Sequence, residues 1–170
     1  MDITPSSVLA MWAAGLGAAA ALVASWRIVG PGFVWLSGAT TLLFGVPAYL
    51  AGAGPWAWVG AVLTAAGTLA GTTRAAVPLR GASAVVFGIA AVPDGGVVAS
   101  ITGAVFLGGI PAEMMLGHWF LVDPRLPRRA LRRLALIAGV GVLADTAVLV
   151  VLGALPWAAG DAAAGIGYLV

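Results

Sequence analysis

Long apolar runs dominate the chain, and short segments rich in glycine, proline and arginine separate them. A helix that crosses the hydrocarbon core of a bilayer needs about 20 mostly apolar residues. The pattern therefore predicts an all-α, polytopic transmembrane helix bundle with six spans, with residues 1–170 as a single transmembrane domain. The predicted spans are 8–29, 33–51, 56–73, 76–92, 97–122 and 134–155.

The fourth and the last apolar runs are the irregular ones. The segment from Arg74 to Arg80 has the composition of a polar loop, so the fourth run reaches spanning length only if it begins near Ala75. The last run, residues 162–170, is too short to cross a bilayer. We expect a fragment or an early chain end there, with an interfacial tail as the alternative. The first run lacks a basic segment before it, so we expect it to be retained as an anchor.

The composition excludes several classes of protein. Hydrophobic residues make up 62% of the chain and charged residues 8%, whereas soluble domains carry about 25% charged residues. A soluble globular protein, a disordered chain and a nucleic-acid binder are therefore excluded. With no cysteine the chain has no disulfide or thiolate metal site. The absence of lysine beside abundant alanine, glycine and arginine is typical of a GC-rich genome, and we expect a bacterial cytoplasmic membrane.

Charge placement predicts the orientation of the spans. Basic residues concentrate in cytoplasmic loops. Arg27 lies at the end of the first predicted span and the other seven arginines follow the third and fifth, so all eight fall on one side, whereas Asp2, Asp94 and Asp161 fall on the other. The N-terminus is therefore predicted outside, with the arginine-rich loops in the cytoplasm. The basic cluster at 125–133 has two interpretations: a topological anchor that attracts anionic lipid headgroups, or a docking surface for an acidic partner.

A stripe of small residues runs along the third predicted span. It consists of Gly60, Thr64, Gly67 and Gly71. Small residues allow helix backbones to approach closely in lipid. The stripe indicates either packing within this chain or a seam with partner subunits, including a homo-oligomer formed through glycine-rich faces.

Two carboxylates lie inside predicted spans, Glu113 in the fifth and Asp145 in the sixth. Ionisable groups in lipid are costly, and they are usually functional. At helical rise Glu113 lies about 15 Å and Asp145 about 18 Å from the predicted cytoplasmic edge. Since the spans are consecutive and antiparallel, we expect the two carboxylates to meet near mid-membrane, where desolvation and repulsion favour protonation of at least one. The alternative is that each is protonated and hydrogen-bonds a neighbouring helix.

The single histidine, His118, lies near the end of the fifth predicted span. Four roles suit it: a structural hydrogen-bonding residue at the interface, a proton relay, a quinone contact or an axial haem ligand. One histidine supplies one axial ligand, so a haem would need a partner chain for the second. The cofactor is unknown, and we expect none bound by this chain alone. The sequence predicts neither a metal site nor a catalytic residue.

The stretch around these residues, from Glu113 to Leu126, reads EMMLGHWFLVDPRL. Polar and aromatic residues are concentrated there at a helix end that a proline closes. This stretch resembles a segment of uncharacterised bacterial multi-span membrane proteins. The resemblance implies a membrane location and transfers neither an activity nor a role for any residue.

Three functions remain open from the sequence. The first is proton or small-solute translocation through a polar path that uses Glu113 and Asp145, without enzymatic chemistry. The second is a membrane subunit of a respiratory or redox complex, in which His118 contacts a haem or quinone. The third is a structural or assembly subunit with no site of its own.

Overall fold

The computed structural model describes residues 4–151, which form six helices. The helices are α1 (Pro5–Ser25), α2 (Pro31–Leu50), α3 (Pro55–Leu69), α4 (Ala76–Asp94), α5 (Gly96–Val122) and α6 (Arg128–Val151). All except α3 are long and apolar enough to cross a membrane. For residues 4–151 the prediction of an all-α chain is therefore confirmed, and five of the six predicted spans coincide with helices that have the length and composition to cross a membrane. Residues 152–155 of the sixth predicted span, the run at 162–170 and Asp2 and Asp161 lie outside the described residues.

The first three helices each begin on a proline, namely Pro5, Pro31 and Pro55. Proline suits the first helical position because its fixed φ is already helical and its missing N–H has no partner there in any case. Thr4 caps α1, since its hydroxyl oxygen accepts a hydrogen bond from the Ser7 backbone N–H at 3.3 Å. These local signals explain why α2 and α3 each begin only a few residues after the preceding helix ends.

The third helix is shorter than the sequence predicts. It ends at Leu69 rather than near Thr73, so α3 has 15 residues and is about 22 Å long. The Ala70 N–H donates to the Ala66 carbonyl at 2.9 Å, and Gly71 then takes a left-handed φ of 63°. Glycine adopts this conformation without a steric penalty, and it stops the helix. The apolar residues after Leu69 are therefore not helical, and the predicted span 56–73 is wrong in its length.

A sharp break at Gly96 separates α4 from α5. Gly96 has φ 72° and ψ 165°, which no helix accommodates. Just before the break, the Asp94 carboxylate accepts a hydrogen bond from the Thr4 hydroxyl. This bond places the start of α1 beside the α4–α5 turn. The break falls between the fourth and fifth predicted spans, and the weak fourth run forms a helix.

The arginine-bearing segments gather at the opposite end of the bundle. Residues from the α1–α2 loop and the α3–α4 loop line one common cavity. Near the end of α5, the Trp119 ring lies against Gly32 at the start of α2. The loop from α5 to α6 therefore lies at the same end as the other two. The separation of arginines from Asp94 that the sequence indicates is present in the fold.

Helix α1 packs against α4 and α5 through glycine. A Cβ atom on Gly15 would overlap the Ala104 carbonyl, and one on Gly108 would overlap the Gly15 backbone. On its other side Gly17 contacts Ala84 of α4. With no hydrophobic drive between helices in lipid, this close backbone approach supplies the packing energy. The crossing of α1 and α5 depends on the absence of side chains at both positions.

Helices α2 and α3 hold α4 through a buried aromatic ring and a polar contact. The Phe87 ring is 0% exposed and lies against Gly45 of α2 and Gly60 of α3. The Thr64 and Ser83 hydroxyls are 2.6 Å apart, and Ser83 donates to the Gly60 carbonyl at 2.9 Å. Gly60 and Thr64 of the small-residue stripe therefore pack within this chain, whereas Gly71 lies in the turn after α3.

The outer surface of the bundle carries many large apolar side chains. Within residues 4–151, five leucines are more than 60% exposed: Leu43, Leu50, Leu69, Leu121 and Leu143. A soluble monomer rarely exposes large contiguous apolar surface. This surface fits a protein whose helices are embedded in a membrane.

Candidate functional site

One arginine lies inside the bundle. Arg80, in the second turn of α4, is 3% exposed. Its Nη1 donates to the Ser37 hydroxyl and its Nη2 to the Val34 carbonyl, each at 2.8 Å. Ser37 in turn donates to the same Val34 carbonyl at 3.1 Å. The guanidinium thus links α4 to α2 by hydrogen bonds, inside the bundle and close to its arginine-bearing end.

The Arg80 side chain fits because α3 leaves space for it. A Cβ atom on Gly67 would lie 3.0 Å from the Arg80 Cγ, so the arginine stem crosses the helix where a side chain is missing. Among the described residues its partners are a hydroxyl and a carbonyl, and its Nε has no hydrogen bond. Hydrogen bonds to a charged group are stronger than neutral ones, and here they replace a carboxylate partner.

The carboxylate of Asp145 lies at the junction of α6, α5 and α1. The Thr102 hydroxyl of α5 donates to Asp145 Oδ1 at 3.0 Å. A Cβ atom on Gly103 would lie 3.6 Å from the same oxygen and 2.7 Å from the Met11 sulfur of α1. Asp145 is half-buried, twelve residues into the membrane from Arg133. The site is a single carboxylate with one hydroxyl donor and an apolar neighbour.

The two intramembrane carboxylates do not meet, and the sequence-based expectation that they would is wrong. Asp145 pairs with Thr102, which precedes Glu113 by eleven residues on α5. At helical rise this separation is about 16 Å along the axis. The register of α5 and α6 fixes it, because Gly109 packs on Ala138 and Gly141 packs on Phe106.

Glu113 lies nearer the arginine-bearing end than Asp145 does. It is half-buried, and the register of the two helices puts it at about the level of Leu134. Leu134 is buried and belongs to an apolar cluster to which α1, α2, α5 and α6 contribute. No hydrogen bond from the described residues reaches the Glu113 carboxylate.

The side chain of His118 is exposed, whereas its neighbour Trp119 packs inward against Phe33. Met114, four residues earlier, is 66% exposed. Residues four apart share a face of a helix. His118 and Met114 therefore form an outward-facing pair at the end of α5.

An apolar groove of about 490 Å³ runs between α4 and α5, with α1 as its floor. Small residues such as Gly88 and Ala104 form much of its wall. Ser100 lies in the groove, is 2% exposed, and its hydroxyl has no hydrogen-bond partner among the described residues. The groove therefore combines an apolar wall with one buried hydroxyl.

Sequence reasoning missed Arg80 and Thr102 as polar partners within the bundle. Arg80 was grouped with the loop because it ends a short polar segment. A helical pattern was nevertheless available, since Arg80, Ser83 and Phe87 recur at intervals of three and four residues, the spacing of one helix face. Thr102 carries no such signal, because threonine in a membrane helix usually bonds its own backbone.

Among residues 4–151 no group of three histidine, aspartate or glutamate side chains could hold a metal ion. None of the protein families, curated proteins or solved structures compared with this chain matches it.

Proposed function

We propose that this protein moves protons or a small solute across a membrane, with Asp145 as the central proton-binding group. The observation that carries the proposal is the Asp145 carboxylate, held by the Thr102 hydroxyl among three helices. None of its contacts within the described residues is a cation. A carboxylate inside an apolar helix of membrane-spanning length is rare and is usually functional.

In this proposal the second carboxylate, that of Glu113, binds and releases a proton separately from Asp145. It lies about 16 Å from the level of Asp145 along α5, on the side of the arginine-bearing end. Two acids at different depths suit successive transfer better than a shared proton. We place the arginine-bearing end in the cytoplasm of a bacterial cell and the N-terminus outside, since basic loops stay in the cytoplasm. Glu113 is then the inner group and Asp145 the outer one.

Neutral replacements of the two acids test this proposal. In liposomes that hold the purified protein and a pH-sensitive dye, Asp145→Asn is expected to lower proton flux by at least about tenfold, since positioned proton-transfer groups contribute factors of this size or more. Glu113→Gln is expected to lower flux as well. Both changes keep side-chain shape, so the protein should elute as one species after purification.

Asp123→Asn is the matched control. Asp123 follows α5 outside the span, where its carboxylate accepts from the Arg125 N–H at 3.1 Å. The Asp123→Asn variant removes the same charge as the other two variants and is expected to leave proton flux unchanged. Unchanged flux in both intramembrane variants, measured against a protein-free baseline, would rule out the carboxylate path and favour a structural or assembly subunit.

A second candidate function rests on the exposed pair of His118 and Met114 at the end of α5. Histidine and methionine are axial ligands of haem, but two residues on one face of one helix cannot lie on opposite sides of a haem. The candidate is therefore a membrane subunit of a redox complex, in which His118 contacts a haem or quinone that a partner chain also holds. The exposed arginines of the cluster at 125–133 then serve an acidic partner or anionic lipid headgroups.

An absorption spectrum tests the redox candidate. Protein purified from its native membrane in mild detergent is recorded in its oxidised and reduced forms. If His118 contacts a haem, a band is expected that is lost or shifted in His118→Ala and retained in Met114→Leu. A band that survives His118→Ala unchanged removes this histidine from the site, and a colourless preparation that also yields no quinone on extraction removes the candidate.

A further inference from the structure

A second cavity lies at the arginine-bearing end of the bundle, between the α1–α2 loop and the α3–α4 loop. Its volume is about 290 Å³, many times the share of one water, about 30 Å³, and near the lower end of small-ligand sites, about 300 Å³. Four polar residues line it: Arg27, Thr72, Thr73 and Arg74. The proposed transport path uses none of them.

The charge of this cavity is positive. Two arginines, Arg27 and Arg74, are among the residues that line it, and no aspartate or glutamate is. Like charges brought to one small space repel each other, and an anion between them removes the repulsion. A third cation lies behind the wall, because Arg80 donates to the carbonyl of Val34, which itself lines the cavity. The residues thus favour an anionic ligand.

The two loops hold unusual backbone conformations at this place. Arg27 has a φ of 52°, the left-handed region that residues other than glycine, asparagine and aspartate rarely adopt. Such strain persists where the surrounding structure imposes it, and it is concentrated at binding sites. Gly71, at φ 63°, turns the chain into the segment that carries Thr72, Thr73 and Arg74. The arginines are therefore held by defined turns rather than by long flexible loops.

We propose that this cavity binds the phosphate group of an anionic lipid. Guanidinium groups match phosphate geometry with paired N–H donors, and the threonine hydroxyls add two further donors. The remaining wall is apolar, with Val29, Val34 and Val77. Together they suit an amphiphile whose headgroup meets the arginines and whose acyl chain follows the valines into the bilayer. A free phosphate compound has the same headgroup chemistry without the chain.

Binding to the full-length protein in detergent tests the proposal. Native mass spectrometry is run with phosphatidylglycerol, with phosphatidylcholine and with inorganic phosphate. We expect one phosphatidylglycerol per chain. The double variant Arg27→Asn with Arg74→Gln is expected to weaken this binding by at least about tenfold, since each lost contact is a charge-assisted hydrogen bond. Asparagine is chosen at position 27 because it tolerates the left-handed conformation.

The control variant Arg128→Gln with Arg129→Gln removes the same charge from exposed positions at the start of α6. The attraction of exposed arginines to anionic headgroups is a general surface effect of about 1 kcal/mol per charge, so this variant is expected to keep the one phosphatidylglycerol bound per chain. Equal loss in both variants, or equally tight binding of phosphatidylcholine, would overturn the site. Displacement of phosphatidylglycerol by inorganic phosphate would support the phosphate site and assign a soluble phosphate compound as its ligand. Arg74→Gln alone, in an exposed turn, gives the same comparison if the double variant does not fold.

Discussion

Replacing Gly108 with valine is expected to separate α1 from α5 and to lower the free energy of unfolding by about 3 kcal/mol or more, above the usual range for overpacking. The atoms that a Cβ would overlap belong to the Gly15 backbone. A backbone cannot move aside by changing a rotamer, so the two helices must shift apart along their length. Denaturation of the purified protein in mild detergent, followed by circular dichroism, measures the change.

Gly139→Val is the matched control for this prediction. It makes the same substitution in a spanning helix, and a Cβ on Gly139 meets no atom within 4 Å. Its free energy of unfolding is expected to stay within about 0.5 kcal/mol of the original value. If Gly108→Val proves as stable as Gly139→Val, the two helices do not cross at Gly15 and Gly108.

Truncating Phe87 to alanine is the second large loss, with an expected cost of about 3–5 kcal/mol. The ring is wholly buried between α2 and α3, and its glycine neighbours have no side chains to collapse into the space. Val85→Ala, on the same helix but 64% exposed, is expected to cost much less. The same denaturation experiment compares the two variants.

A double-mutant cycle sharpens the test of the Phe87 contact. Gly45→Ala alone is expected to destabilise the protein, because its Cβ overlaps the Phe87 ring. The same alanine in the Phe87→Ala background partly fills the cavity and is expected to recover some of the lost stability. Residues in contact give such non-additive effects, whereas distant residues do not. Simple additivity would contradict the packing of this ring.

The number of helices and the helix type were predictable from the sequence. Apolar runs of bilayer length between proline and glycine breakers locate all six described helices, the weak fourth run included. Boundaries were less predictable. Helix α6 begins at Arg128, six residues before the predicted span. Arginine is a good helix former, and a search for apolar runs does not detect a polar helical segment that lies outside the membrane. Helix α1 ends at Ser25 rather than near Val29, because Arg27 takes a left-handed conformation.

The two acids of the candidate site were predictable, but their partner Thr102, the buried Arg80 and the arrangement of the acids were not. Glu113 and Asp145 were identified because acids in apolar runs are rare. Their separation depends on the register of α5 and α6. The predicted depth of Asp145 was measured from Arg133, although α6 already begins at Arg128, so the length of helix before Asp145 was underestimated. The helical turns from Arg128 to Arg133 add length to α6, and the contacts of Gly109 and Gly141 then fix the pairing. Residue spacing along one helix contains no information about that pairing.

The shortness of α3 has a consequence for the surrounding bilayer. A helix of 15 residues falls about 8 Å short of a hydrocarbon core about 30 Å thick. Its exposed leucine at position 69 lies at the very end of that helix, so the lipid beside it must thin or expose the polar turn that follows. Such hydrophobic mismatch costs a fraction of a kcal/mol per ångström. We therefore expect the lipid around this protein to be deformed on one side, most strongly beside α3.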